Sequence, residues 1–268
     1  MRWWLTTLVL ALLTTSCTSP ERPPRADPPD VTDGEWRTET WAGLSVDVPA
    51  SWGYGAAPVR VGGSVSVCGP VAGVGRPVLR SDVCAAYPWL RGMPASAEPY
   101  VWLGADLEPG AVRYDGAVVQ ETIAVEGTTL TVASTDAGLR ARILGSARPA
   151  TLCRDATPAP GEVEVCGYRA VAGGRVLGFA EQVAADVPEA VVAAARRAPA
   201  ATGDPGCGPR TGEVVELRES GRTIVLDLGC GTVDPGDGTR HLLTDEAVEP
   251  WASPMARASL TRLIGQQG

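Results

Sequence analysis

Leu44, Val46 and Val48 fall on one side of an extended chain while Ser45 and Asp47 fall on the other. This period-2 alternation predicts a half-buried strand. Residues 50–55 hold Pro-free but Gly-rich turn chemistry and reverse the chain. The Gly/Pro-rich stretch carrying Cys68 and Cys84 is predicted to be irregular. Apolar-rich runs at 100–103, 117–123 and 128–133 predict three more strands, the last two joined by a tight turn at Glu126-Gly127. Asp136 then stands where an N-cap belongs, and Leu139, Ile143 and Leu144 line one face of a helix over 137–144.

Beyond Arg148-Pro149 the pattern restarts. Residues 151–154, 163–169 and 176–179 predict strands around a Pro-rich turn. Pro188 sits in the first turn of an Ala-rich helix that reaches Arg197, with its N-cap near Asp186. Alternation resumes at 213–217 and 223–228 across Glu219-Ser220-Gly221, which reads as a hairpin. The fold class expected is therefore α+β, with two small mixed sheet-and-helix domains at 35–147 and 148–265.

The N-terminal residues follow a different rule. A single Arg2 precedes an apolar run at 3–13, and small polar residues then lead to Cys17. That is the layout of a secretory signal peptide over 1–16, too short for a comfortable membrane span of about 20 apolar residues. Residues 17–34 are rich in Pro and acid, with too little apolar surface to repay ordering, so they predict an extended tether.

Thr14-Thr15-Ser16-Cys17 resembles a bacterial lipobox, which implies lipidation of Cys17. Acyl chains buried at about 0.8 kcal/mol per CH₂ would then hold the chain to a membrane. Val48-Pro49-Ala50-Ser51-Trp52 and the helical DAGLRARILGS segment at 136–146 resemble a layout found in actinobacterial surface lipoproteins. The resemblance spans about residues 40–147. It implies an α+β sandwich and carries no shared activity. The second part, with its cysteine, helix, cysteine, hairpin and cysteine in turn, is similar to a domain of uncharacterised actinobacterial lipoproteins.

Composition narrows the partners. The net charge is -8 and every Lys-or-Arg position is Arg. A surplus of acid argues against nucleic acid and against a grip on anionic headgroups. A 44% apolar share is ample for a core.

Besides Cys17, Cys68, Cys84, Cys153, Cys166, Cys207 and Cys230 form an even set, which in an exported chain reads as disulfides. Six cysteines permit about 15 pairings. Pairing of sequence neighbours (68 with 84, 153 with 166, 207 with 230) keeps each bridge inside one compact region and is the expectation. No Cys-x-x-Cys spacing is present, so no metal is expected.

No residue set rises to a catalytic signature, and no catalytic residue or cofactor is expected. His241 is the only histidine, and no Gly-x-Ser-x-Gly elbow accompanies it. Asp234-Pro235-Gly236-Asp237-Gly238 has turn composition without the spacing of an EF-hand loop. Glu35, Glu39, Glu213, Glu216 and Glu219 are expected on solvated faces rather than as a glycosidase pair. Trp36, Trp41, Trp52 and Tyr54 cluster in sequence and are the candidate binding aromatics, weighed against core packing in a chain with one Phe.

Together these readings imply an extracytoplasmic, lipid-anchored protein at the cell membrane with a non-catalytic binding or scaffolding role. The expected partner is an envelope protein or glycan, with no nucleic acid. Two other functions stay open: an envelope hydrolase using carboxylates or Ser/His241, and a sensory module for a small ligand.

Overall fold

The computed structural model describes residues 34–61, 64–67, 71–77, 85–87, 99–114, 117–154, 157–171, 174–202 and 212–260. Cys17, the leader, the tether up to residue 33, and Cys68, Cys84 and Cys207 lie outside them. Elements run β1 (Trp36–Trp41), β2 (Leu44–Pro49), β3 (Tyr54–Ala56), β4 (Val59–Val61), β5 (Ser64–Val67) and β6 (Gly73–Arg76). Next come β7 (Ala85–Tyr87), β8 (Tyr100–Leu103), β9 (Gly110–Arg113), β10 (Val119–Val125), β11 (Thr128–Ser134), α1 (Ala137–Gly145) and β12 (Arg148–Pro149). The remainder is β13 (Val163–Val171), β14 (Gly174–Val183), α2 (Val187–Arg197), β15 (Val214–Glu219) and β16 (Arg222–Asp227). The short pieces β17 (Thr232–Asp234), β18 (His241–Leu242), α3 (Asp245–Val248) and α4 (Pro254–Ser259) follow. The class is a mixed α+β one, carried among the described residues by four sheets and a few short helices.

The first large sheet has the order β3-β6-β8-β11-β10-β9, with β3, β6 and β8 parallel and the rest antiparallel. Its central strand β8 is buried at every position. Val101 and Leu103 enter one core, and Tyr100 and Trp102 enter another on the opposite face. That is what a Tyr-Val-Trp-Leu run with no polar residue dictates. The small sheet β1-β2-β12 and helix α1 close the first core with Trp41, Leu44, Val46, Val48, Leu139 and Ile143. Asp136 caps α1 by accepting from Gly138 N at 2.7 Å and Leu139 N at 3.0 Å.

The second large sheet has the order β14-β13-β15-β16-β17-β18 and is antiparallel throughout. One face carries Val165, Phe179, Val215, Leu217, Ile224 and Leu226, covered by α2, α3 and α4. Phe179 lies opposite Gly167 on β13, and a Cβ at Gly167 would strike its ring.

Several elements depart from the sequence expectation. The Gly/Pro-rich stretch predicted irregular contains β4, β5, β6 and β7. Its strands are short and pair with distant partners, which local alternation does not reveal. Residues 151–154 form a turn rather than a strand, with Cys153 at φ 62°. Arg148-Pro149 pairs with β2, so the chain is still part of the first sheet system there. No helix among the described residues is long and apolar enough to cross a membrane.

Candidate functional site

The densest polar chemistry lies where the two sheet systems meet. β1 puts Arg37, Glu39 and Trp41 on one face, opposite Val48, Val46 and Leu44 of β2. Period-2 geometry therefore carries Glu39 into the apolar layer along with Trp41. Glu39 is fully buried, and so is Arg76 at the end of β6. Arg76 Nη2 pairs with Glu39 Oε2, and Arg37 Nε donates to Glu39 Oε1 at 2.6 Å. Tyr54 Oη donates to the same Oε1 at 3.0 Å. The guanidinium carbons of Arg37 and Arg76 stand 5.0 and 5.5 Å from the centre of the Tyr54 ring.

Burial alone would raise the Glu39 carboxyl, but Arg76, with help from Arg37, outweighs it and holds it below the ordinary range. Burial and the Glu39 charge push the Tyr54 phenol up to about 12. Arg37 also donates to Trp52 O at 2.6 Å and to Ala50 O, fastening the turn after β2. Arg76 itself is incompletely served. Its Nε and Nη1 are buried with no hydrogen-bond partner.

The second sheet reaches this cluster from β13, β14 and α4. Tyr54 packs against the core of both sheet systems. Glu181 of β14 accepts from Ser253 Oγ at 2.6 Å, and Ser253 in turn caps α4 by accepting from Ala256 N at 3.1 Å. Burial raises the Glu181 carboxyl; the Ser253 bond lowers it, the nearby Glu39 charge raises it further, and Arg76 lowers it. Ala42 N donates to Leu177 O at 2.6 Å, and Arg169 Nη1 to Pro77 O at 3.0 Å. Arg169 also lies over the Trp41 ring and 3.8 Å from Glu213.

This geometry corrects the expectation that the acids stand on solvated faces. Glu39 and Glu213 are buried. Guanidinium groups from other strands accompany them inward and neutralise the charge there. Glu216 and Glu219 are partly exposed, and Glu35 is exposed. The sequence reading missed Arg37, Arg76 and Glu181. Period 2 from Trp41 back to Glu39 and Arg37 was the available signal.

Among the candidate aromatics, Trp41 is a core residue, with 5% of its surface exposed. Trp36 and Trp52 are half-buried against the same core, and Arg142 stacks 3.7 Å from the Trp36 ring centre. Tyr54 is the one that joins the polar cluster. The four are thus distributed over the first sheet system and its junction rather than along one groove.

Cys153 and Cys166 are bonded to each other, and Cys230 is disulfide-bonded too. Glu164 accepts from Cys153 N at 3.0 Å, and its carboxylate lies within 4.8 Å of both sulfurs. With the sulfurs joined, this trio offers a carboxylate and no thiolate. His241 sits on the edge strand β18, its Nδ1 3.2 Å from Ala198 O and its Nε2 3.4 Å from Thr239 Oγ1. Asp234 accepts from Gly236 N and Gly238 N, so the Asp-Pro-Gly-Asp-Gly run is a self-bonded turn. A surface cleft of about 170 Å³ beside the β15–β16 hairpin carries Arg218 and Arg222. Arg222 is paired with Glu219 and Glu189, and Arg218 donates to Arg154 O.

Comparison with known proteins finds no matching family model, no matching curated sequence and no matching solved structure. The functional reading therefore rests on the residues themselves.

Proposed function

We propose that the chain is an extracytoplasmic lipoprotein, held to a cell membrane through Cys17. Its body of two α+β units, on this reading, binds or scaffolds an envelope protein or glycan without catalysis. The observation that carries this is the N-terminal order of Arg2, apolar run, small polar residues and Cys17, followed by a Pro-rich tether. The Cys153–Cys166 cystine supports it, because such bridges persist in oxidising compartments. So does the use of polar side chains in internal pairing, Glu39 with Arg76, Glu213 with Arg169 and His241 with Ala198 O. The resemblance of Val48-Pro49-Ala50-Ser51-Trp52 and of residues 136–146 to actinobacterial surface lipoproteins implies the same location.

Intact mass of the membrane-extracted protein tests the anchor. A diacylated or triacylated Cys17 at a new N-terminus is expected, and a Cys17→Ala variant is expected in the soluble fraction. An unprocessed leader without a fatty adduct rejects it. Affinity capture from detergent-solubilised envelope, with a C-terminal tag, then tests the role. A stoichiometric protein or glycan partner supports scaffolding, and turnover of recovered glycan points to a hydrolase instead.

One observation favours a second reading, a sensory module for a small ligand. The unpartnered Nε and Nη1 of buried Arg76 lie at the junction of the sheet systems. Native mass spectrometry of the purified body would reveal a retained small anion.

A further inference from the structure

Both edges of the second large sheet are met by other backbone. Ala42 N reaches β14 at Leu177 O, and residues 199–201 run beside β18, with Leu242 N bonded to Pro199 O and Ala201 N to Arg240 O. β9, the last strand of the first large sheet, is left open. Its ladder partner among the described residues is β10 alone, and Gly110, Ala111 and Arg113 are exposed with Val112 half-buried. Such an edge is a template for another strand unless charge, proline or a covering segment blunts it. Here the proline, Pro109, stands before the strand and not within it.

The register says which backbone groups are open. Tyr114 N donates to Val118 O at 2.9 Å, which makes these two a hydrogen-bonded pair continuing the β9–β10 ladder. Antiparallel pairs alternate, so Val112 with Gln120 is hydrogen-bonded too, while Ala111 with Glu121 and Arg113 with Val119 are not. The N–H and C=O groups of Ala111 and Arg113 therefore point away from β10, toward the open edge. That row holds two donors and two acceptors.

We propose that two copies of this chain pair through β9, antiparallel and edge to edge, about a two-fold axis at Val112. In that register Ala111 faces the partner's Arg113 and exchanges both backbone bonds with it, and the symmetry repeats the exchange. All four open groups of each strand are used. A slip that sets Ala111 against its own copy would instead bring Pro109 into the ladder, where it has no N–H to give.

Charge fits the same register. Ala111 lies beside Glu121 of β10, so a row across the joint runs Glu121, Ala111, the partner's Arg113. Two strand spacings, about 10 Å, separate the backbones of Glu121 and the partner's Arg113, and the small Ala111 side chain lets the long arginine lean across. Neither Glu121 nor Arg113 has an ion-pair partner among the described residues of its own chain. The two-fold axis supplies this pair twice. A foreign strand would take the backbone bonds alone, whereas the reciprocal charges single out a second copy.

The register gives the test. Val112 faces the partner's Val112 in a non-hydrogen-bonded pair, with Cα atoms about 4.5 Å apart, which suits a disulfide. Val112→Cys in the full chain, purified in detergent and mildly oxidised, should form a covalent dimer whose 112-to-112 bond is identified by peptide mass mapping. Ala111→Cys and Arg113→Cys are more exposed but face a different residue, so they should trap little. Equal trapping at all three positions, or none at Val112→Cys, overturns the proposal. So does a bond from Val112→Cys to a different protein, which would make β9 a docking edge for a foreign strand. Sedimentation without cross-linking is the second measurement. Ala111→Pro deletes an open-edge N–H and spares the bonds to β10. The native chain should show a concentration-dependent dimer, and Ala111→Pro should show monomer alone with an unchanged thermal midpoint. A native chain that stays monomeric, or an Ala111→Pro chain that still dimerises, also overturns it. None of these readouts depends on lipidation of Cys17.

Discussion

Arg76 pairs with Glu39 although neither side chain reaches solvent, and the two residues come from strands of different sheets. The pair works as a unit. Its members were costly to bury and are tolerable only together.

Removing one member should therefore be worse than removing both. Arg76→Met or Glu39→Gln is expected to lower unfolding stability by about 3–5 kcal/mol, since each leaves a buried group unserved. The double replacement Glu39→Leu with Arg76→Met should cost less than the sum of its parts. Urea unfolding of the four chains as a double-mutant cycle measures the coupling. Strict additivity would mean that the pair is not a unit.

Acid sensitivity follows from the same carboxyl. The folded chain holds Glu39 below its ordinary value of 4.5, so the unfolded chain takes up the proton first. Its contribution is fully present above that ordinary value and is lost as pH falls through the folded one. Thermal midpoints from neutral to acid pH should drop along this limb in the native chain, and the drop should shrink in Glu39→Gln. Glu181 acts in the opposite sense. Its raised carboxyl stabilises the fold below the ordinary value, and that contribution fades as pH rises through its folded value.

Gly104 separates strain from crowding. Its φ is +72°, and a Cβ there would strike the Trp41 indole, whereas Gly127 at φ +74° has nothing within 4 Å. Gly127→Ala should cost about 1–2 kcal/mol, the left-handed penalty alone. Gly104→Ala should add about 1–3 kcal/mol for overpacking. Chemical unfolding of the two variants reads the difference, and Trp41 is the residue whose fluorescence should shift.

The Cys153–Cys166 bridge closes a loop of separation 13. Replacing both by Ser should cost about 3 kcal/mol on the chain-entropy account. Urea midpoints measure it, and peptide mass mapping without reductant tests at the same time whether Cys207 is the partner of Cys230.

Where the alternation was local, the chain could be read directly. β2, the β10–β11 and β15–β16 hairpins, α1 and α2 all follow from spacing within a few residues of one another. The junction was illegible for a related reason. Glu39 and Arg76 are 37 positions apart, and Glu181 and Ser253 are 72 apart. A charge read alone suggests solvent, and only the fold supplies the partner that lets it enter. Trp36-Arg37-Thr38-Glu39-Thr40-Trp41 did carry the period that turns Glu39 inward, but the tryptophans at its two ends point to opposite faces and obscure it. Arg76, in Gly-Val-Gly-Arg, had no pattern at all around it.

The start of the crossover between the sheet systems is tied down at several points. Arg148 and Pro149 are stitched to β2, Ala150 N is bonded to Gly43 O, and Cys153 is already covalently joined to β13. Ties of this kind transmit rather than absorb, so fraying at the β1–β2 turn is expected to reach β13. Heat or pull applied to one half should therefore spread to the other before either can come apart alone.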